Sequence, residues 1–135
     1  MKKKLLILTV FILFAFVALP NIFAQTAQRI TFKKGAKQLI VSGSLNSYRS
    51  KKVFVIRVRR GQTLKTEQSK SDLSSHYITV YIKAPNGADV DDSDASCNNR
   101  KEVTPTGAGD YRIEVFECQK ADAWRGSFKL KIRVE

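Results

Sequence analysis

Four groups of residues in this sequence carry side chains that could do chemistry. His76 is the single histidine and closes the run Asp72-Leu73-Ser74-Ser75-His76. Ser, His and Asp are the members of a hydrolase triad, but a triad draws them from separate parts of a fold, with the base oriented by a third group. Neighbours in one polar loop do not meet that condition, and the run reads as a solvated turn before Tyr77. Asp89, Asp91, Asp92 and Asp94 form the acidic cluster. Alternating acidic residues open calcium loops. The EF-hand pattern then requires Gly at its sixth position and Glu at its twelfth, where this chain has Asp94 and Arg100. With Lys101 also close behind, a self-neutralising surface loop is expected, calcium stays open as the alternative, and no metal ligands are assigned.

Cys97 and Cys118 are the only cysteines. In an oxidising compartment an isolated even pair forms a disulfide. Without a second pair or a nearby histidine it makes a poor zinc site. The bridge would close 22 residues, contributing roughly 3 kcal/mol by loop-closure arithmetic. The fourth group lies in the segment from Cys118 to Gly126, which holds the single tryptophan, Trp124, beside Arg125. Trp and Arg are the residue types that most often anchor interfaces. Two roles are open for Trp124: an anchor at a binding edge, or a plug folded over the open end of the core. A bridge from Cys118 to Cys97 would pin this loop to the Asp-rich loop and preorganise both for binding. No Gly-rich phosphate loop opens a helix and no paired glutamates stand out, so the chain reads as non-enzymatic, with no cofactor.

The elements that must position these residues are strands. Phe128, Leu130, Ile132 and Val134 alternate with Lys129, Lys131 and Arg133, the period of a half-buried antiparallel strand with a basic outer face. Phe54, Ile56 and Val58 alternate with Val55, Arg57 and Arg59. Ile78, Val80 and Ile82 alternate with Thr79, Tyr81 and Lys83, and Tyr111, Ile113 and Val115 with Arg112 and Glu114. Weaker strands are expected at Ile30 to Phe32, Gln38 to Gly43 and Leu64 to Gln68. Turn chemistry separates them at Lys34-Gly35, Arg60-Gly61, Pro85-Asn86-Gly87, Thr106-Gly107-Ala108-Gly109 and Arg125-Gly126. No window has a helical period. The pattern predicts an all-β fold, an antiparallel two-sheet β-sandwich of jelly-roll type with seven to eight strands. Ala88 to Lys101 is its one long loop.

Met1-Lys2-Lys3-Lys4, the uncharged run from Leu5 to Leu19, the break at Pro20-Asn21 and Ile22-Phe23-Ala24 have the anatomy of a secretory signal peptide. The apolar run is shorter than the roughly 20 residues a transmembrane helix needs. Cleavage is expected after Ala24, with Ala27 the lesser variant, leaving residues 25–135 as a single domain in the periplasm or outside the cell. Loss of the three signal lysines lowers the net charge from +12 to +9. A cytosolic protein this basic would suggest nucleic acid, but export removes that partner. Lipid head groups, phosphorylated envelope polymers, acidic polysaccharide or an acidic protein surface remain, as does a charge that only keeps the domain soluble. An anionic polymer would bind through a stripe of Lys129, Lys131, Arg133, Arg57 and Arg59. The exported domain is expected to be a monomer with no membrane span.

Phe32-Lys33-Lys34-Gly35, Val41-Ser42-Gly43, Arg60-Gly61-Gln62, Pro85-Asn86-Gly87 and Pro105-Thr106-Gly107-Ala108-Gly109-Asp110-Tyr111-Arg112-Ile113 together resemble the bacterial pre-peptidase C-terminal-like domains. Their order and spacing are more similar still to the periplasmic inhibitors of g-type lysozyme. The likeness covers residues 28–135. It implies a rigid β-sandwich whose end loops insert into a lysozyme's substrate cleft. The loop before the final strand would carry the contact residues, which fall here on Lys120, Asp122, Trp124 and Arg125.

Overall fold

The computed structural model describes residues 26–69, 76–90, 97–120 and 122–135. The expected signal peptide lies outside them. Nine strands are formed: β1 (Gln28–Ile30), β2 (Gln38–Leu45), β3 (Lys51–Val58), β4 (Leu64–Gln68), β5 (Ile78–Lys83), β6 (Asp89–Val90), β7 (Arg100–Val103), β8 (Gly109–Glu117) and β9 (Gly126–Val134). They build two sheets, one in the order β1-β3-β8-β5-β6 and the other in the order β2-β9-β4-β7.

The alternation sets this arrangement. Phe128, Leu130 and Ile132 on β9 are fully buried between the sheets, each burial worth about 1.5–3 kcal/mol. Phe54 and Ile56 on β3, Ile78, Val80 and Ile82 on β5, and Ile113 and Val115 on β8 meet them from the other layer. The Phe54 and Phe128 rings join the layers edge to face, with centroids 6.4 Å apart. Gly43 on β2 stands opposite Phe128 in the ladder. A Cβ there would lie 2.7 Å from the phenyl ring, so the ring occupies the space that any other residue at position 43 would fill.

Three features depart from the sequence expectation. The first strand is Gln28–Ile30 rather than Ile30 to Phe32, and it runs parallel to β3, so the larger sheet is mixed rather than wholly antiparallel. The chain turns directly after Phe32, where the Ala36 amide donates to the Lys33 carbonyl at 2.9 Å. The stretch Ala88 to Lys101 is not all loop, because β6 pairs with β5 and β7 pairs with β4. These two strands are short and charged, and tertiary pairing rather than hydrophobic alternation selects them.

The connections sort by end. The β1–β2, β3–β4, β5–β6 and β7–β8 turns share one end and hold nearly all of the turn motifs that carry the family resemblance. Gly61 and Thr106 tie two of these turns together, the Gly61 amide donating to the Thr106 carbonyl and the Thr106 amide to the Gln62 carbonyl, both at 2.8 Å. Gly109, at φ +140°, packs so closely on Pro85 that a Cβ would come within 2.6 Å of its ring. The β2–β3, β4–β5 and β8–β9 connections lie at the other end, with Cys97 and Cys118.

Candidate functional site

The second end is the candidate site, and buried polar groups organise it. Gln68, the last residue of β4, is 1% exposed. Its side-chain amide donates to the His76 carbonyl, while its side-chain oxygen accepts the Ile78 amide at 3.1 Å. The Gln68 main-chain amide donates to the Asn99 carbonyl at 2.9 Å. One glutamine therefore fixes the return into β5 and the approach to β7. A buried amide side chain is stable only when its groups are paired in this way.

Cys97 and Cys118 are joined in a disulfide, with Cα atoms 4.5 Å apart. The Cys97 amide donates to the Thr79 hydroxyl at 2.8 Å, and the Cys118 amide to the Tyr77 carbonyl at 2.9 Å. The bridge thus holds the end of β8 beside the start of β5 and the segment that leads into β7. Asp91, Asp92 and Asp94 lie outside the described residues. Asp89 is engaged with Lys83 at 2.8 Å, and this hydrogen bond is the main reason that the Lys83 ammonium titrates above its ordinary value.

Trp124 is turned inward and is 8% exposed. Its indole N–H donates to the Tyr77 carbonyl at 3.3 Å, and its main-chain amide to the Glu117 carboxylate at 3.4 Å. Its ring packs on His76 with centroids 4.8 Å apart. Of the two roles open to it, Trp124 occupies the plug position over the end of the core. His76 is not simply a solvated turn residue, because it is the outer wall of that plug. Asp72, Ser74 and Ser75 lie outside the described residues. Glu117 is fully buried beneath the loop, a carboxylate on the inward face of β8 where alternation alone predicts an apolar residue.

Lys120, Asp122 and Arg125 have exposed side chains around the Trp124 plug. The register adds residues that sequence reasoning missed. Leu45 pairs with Gly126, which sets the β2–β3 turn against the end of the Trp124 loop. In that turn the Ser50 hydroxyl accepts the amides of Asn46 and Ser47, at 2.8 and 3.1 Å, and donates to the Ser47 carbonyl at 2.9 Å. The turn is therefore stiff, and it presents Tyr48, 36% exposed, and Arg49. Tyr77, 43% exposed, precedes β5 and is tied through its carbonyl to Trp124. The sequence signal available was an Asn-Ser-x-x-Ser turn with an aromatic at its tip. The result is a rim of exposed side chains, Tyr48, Arg49, Lys120, Asp122 and Arg125, on a pinned base.

The five cations expected to form one stripe are not brought together. Lys129, Lys131 and Arg133 are on β9 in the smaller sheet, Arg57 is on β3 in the larger, and Arg59 is in the turn after it. Alternation fixes the face of a strand but not the sheet it joins. Lys131 is also paired with Glu67 at 2.9 Å and Arg133 with Glu135 at 3.3 Å. A cavity of about 560 Å³ lies on the β4–β7 edge, away from the Trp124 loop. Its walls carry both signs of charge, from Lys65, Glu67, Arg100 and Glu102, and no hydrophobic or aromatic residue lines it, unlike the usual small-molecule site. Among the described residues no group of three or more His, Cys, Asp or Glu could hold a metal ion.

This is the architecture of the small β-sandwich modules to which the pre-peptidase C-terminal domains and the periplasmic inhibitors of g-type lysozyme belong. Three solved structures share this fold. PliG of Aeromonas hydrophila, a periplasmic lysozyme inhibitor of g-type lysozyme, superposes with a TM-score of 0.63 at 18% identity, over 82% of this chain and 96% of that one. The Salmonella Typhimurium PliG gives 0.57 at 19%, over 82% of this chain and all of that one. The pre-peptidase C-terminal domain of a Bacillus anthracis collagenase gives 0.53 at 15%, over 85% and 100%. No protein-family model matches the sequence, and no curated protein does. At these identities the likeness is one of fold.

Proposed function

We propose that this chain is an exported, non-enzymatic inhibitor of a g-type lysozyme, acting through the loops at the disulfide end. The observation that carries the reading is the near-complete coverage of two solved inhibitors of g-type lysozyme by a single small sandwich, together with a pinned rim of exposed cations at one end. Glycoside hydrolases generally work with a pair of Asp or Glu carboxylates flanking the scissile bond. A rigid rim bearing Arg125, Lys120 and Arg49 can enter such a cleft and give charge-assisted hydrogen bonds to those carboxylates, which are stronger than neutral ones. The disulfide, Gln68 and the buried Trp124 hold the rim in one conformation, which lowers the entropy lost on binding. Inhibition then needs no chemistry from the inhibitor, only occupancy of the substrate's path.

The test is a cell-wall lysis assay in which the purified exported domain is titrated into a g-type lysozyme. Activity should fall to completion near a one-to-one ratio, and a lysozyme undiminished at large molar excess of the domain would remove the proposal.

A further inference from the structure

Among the described strands the smaller sheet ends on β2, which has a hydrogen-bonded neighbour, β9, on one side only. It is an edge of eight residues, Gln-Leu-Ile-Val-Ser-Gly-Ser-Leu. The other edges among the described strands are short: three residues in β1, two in β6 and four in β7. Each of those carries charge, and Lys101 on β7 points inward, both devices that discourage edge pairing. β2 has neither protection. It contains no proline, and it is the one strand of the nine without a charged residue.

Its register shows what the free side offers. The Val134 amide donates to the Lys37 carbonyl, and the ladder continues through Leu39 with Ile132 and Val41 with Leu130. Main-chain groups of odd-numbered residues therefore face β9. Those of Gln38, Ile40, Ser42 and Ser44 face away, by the alternation of antiparallel pairing. Ile40 is also 61% exposed, more than any other large hydrophobic side chain among the described residues.

We propose that the β2 edge is a self-association surface, on which a second copy of this chain adds its own β2 in antiparallel register about a two-fold axis at Val41. Ile40 of one copy then lies opposite Ser42 of the other, and Gln38 opposite Ser44, so all four outward-facing residues find partners and the smaller sheets become continuous. A foreign strand is recognised by pockets or charges along an edge, and β2 offers no charge to read. Self-pairing requires only an edge that matches its own reversal, which is the isologous contact of a two-fold dimer. Charge points the same way. At the net charge of +9 expected for the exported chain, most surfaces repel a second copy, and β2 itself brings no charged side chain to the contact. The inference is independent of the inhibitor reading.

Sedimentation velocity of the exported chain tests it. The sedimentation coefficient should shift from the monomer toward the dimer value as concentration rises, and the dimer fraction should grow with added salt as the net repulsion is screened. Ile40→Lys should hold the chain monomeric throughout. Ser42→Pro should do the same, since proline on an edge strand removes only an outward N–H. Amide exchange at Ile40, Ser42 and Ser44 should slow in the concentrated wild type and not in Ile40→Lys. A wild type that stays monomeric at every concentration overturns the proposal, and so does a dimer that both variants leave intact.

Discussion

The indole N–H of Trp124 is bonded to the main-chain carbonyl of Tyr77, 3.3 Å away, and the same carbonyl accepts the amide of Cys118. One oxygen at the start of β5 thus receives both ends of the segment that precedes the final strand. The position of Lys120, Asp122 and Arg125 follows from how firmly that segment is held.

Trp124→Ala should therefore be a stability mutation before it is a binding mutation. Truncating a buried aromatic costs about 3–5 kcal/mol, and this ring also carries a hydrogen bond. Thermal unfolding should show a large fall in melting temperature. Arg125→Ala and Lys120→Ala remove exposed side chains and should shift it by no more than about 2–4 °C each, since such substitutions stay within about 0.5 kcal/mol.

The disulfide makes a related prediction. Protein from an oxidising compartment should show no free thiol until it is unfolded and reduced. Replacing Cys97 and Cys118 together by Ser should cost roughly 3 kcal/mol and should speed amide exchange in the segment from Cys118 to Gly126. Equal exchange with and without the bridge would mean that the loop is held by other contacts.

The two faces of β9 should respond differently. Leu130→Asp puts a carboxylate at a fully buried site and should prevent folding, because an unpaired charge there has no compensation. Lys131→Ser, next in sequence, removes a half-exposed pair with Glu67 and should cost under about 1 kcal/mol. Circular dichroism of the pair of variants separates them.

Arg29 holds the Asp110 carboxyl below its ordinary value of 3.8, chiefly through their hydrogen bond at 2.6 Å. A carboxylate with a depressed folded pKa adds stability that is present above its unfolded pKa and lost as pH falls through the folded one. The cost of Asp110→Asn should therefore be visible at neutral pH and vanish in strong acid. Because the pair is exposed, the effect should also shrink with added salt.

Alternation made much of this fold legible. Phe128 to Val134 and Ile78 to Lys83 announce their faces, and the turn residues announce their ends. β6 and β7 were hidden because Asp-Val and Arg-Lys-Glu-Val have no apolar period, and only pairing with β5 and β4 makes them strands. The Cys97–Cys118 link was legible from the cysteine count and from the export expected of the N-terminal segment. The inward turn of Trp124 was not, since a Trp beside an Arg fits a surface anchor as well as a plug until Glu117 and Tyr77 are seen beneath it. Tyr48 and Arg49 were missed for another reason. Their proximity to the Trp124 loop depends on the Leu45–Gly126 register, a long-range fact that no local pattern carries.

If the rim at the disulfide end blocks a lysozyme's cleft, as proposed, one comparison shows it most directly. The inhibition constant for a g-type lysozyme should be measured for the wild type and for Lys120→Ala/Arg125→Ala, with melting temperatures recorded for both. Loss of two charge-assisted contacts, each worth about 1.5–3 kcal/mol, should weaken inhibition by at least ~100-fold while the melting temperature stays within a few degrees. Equal inhibition by the two proteins would contradict the account.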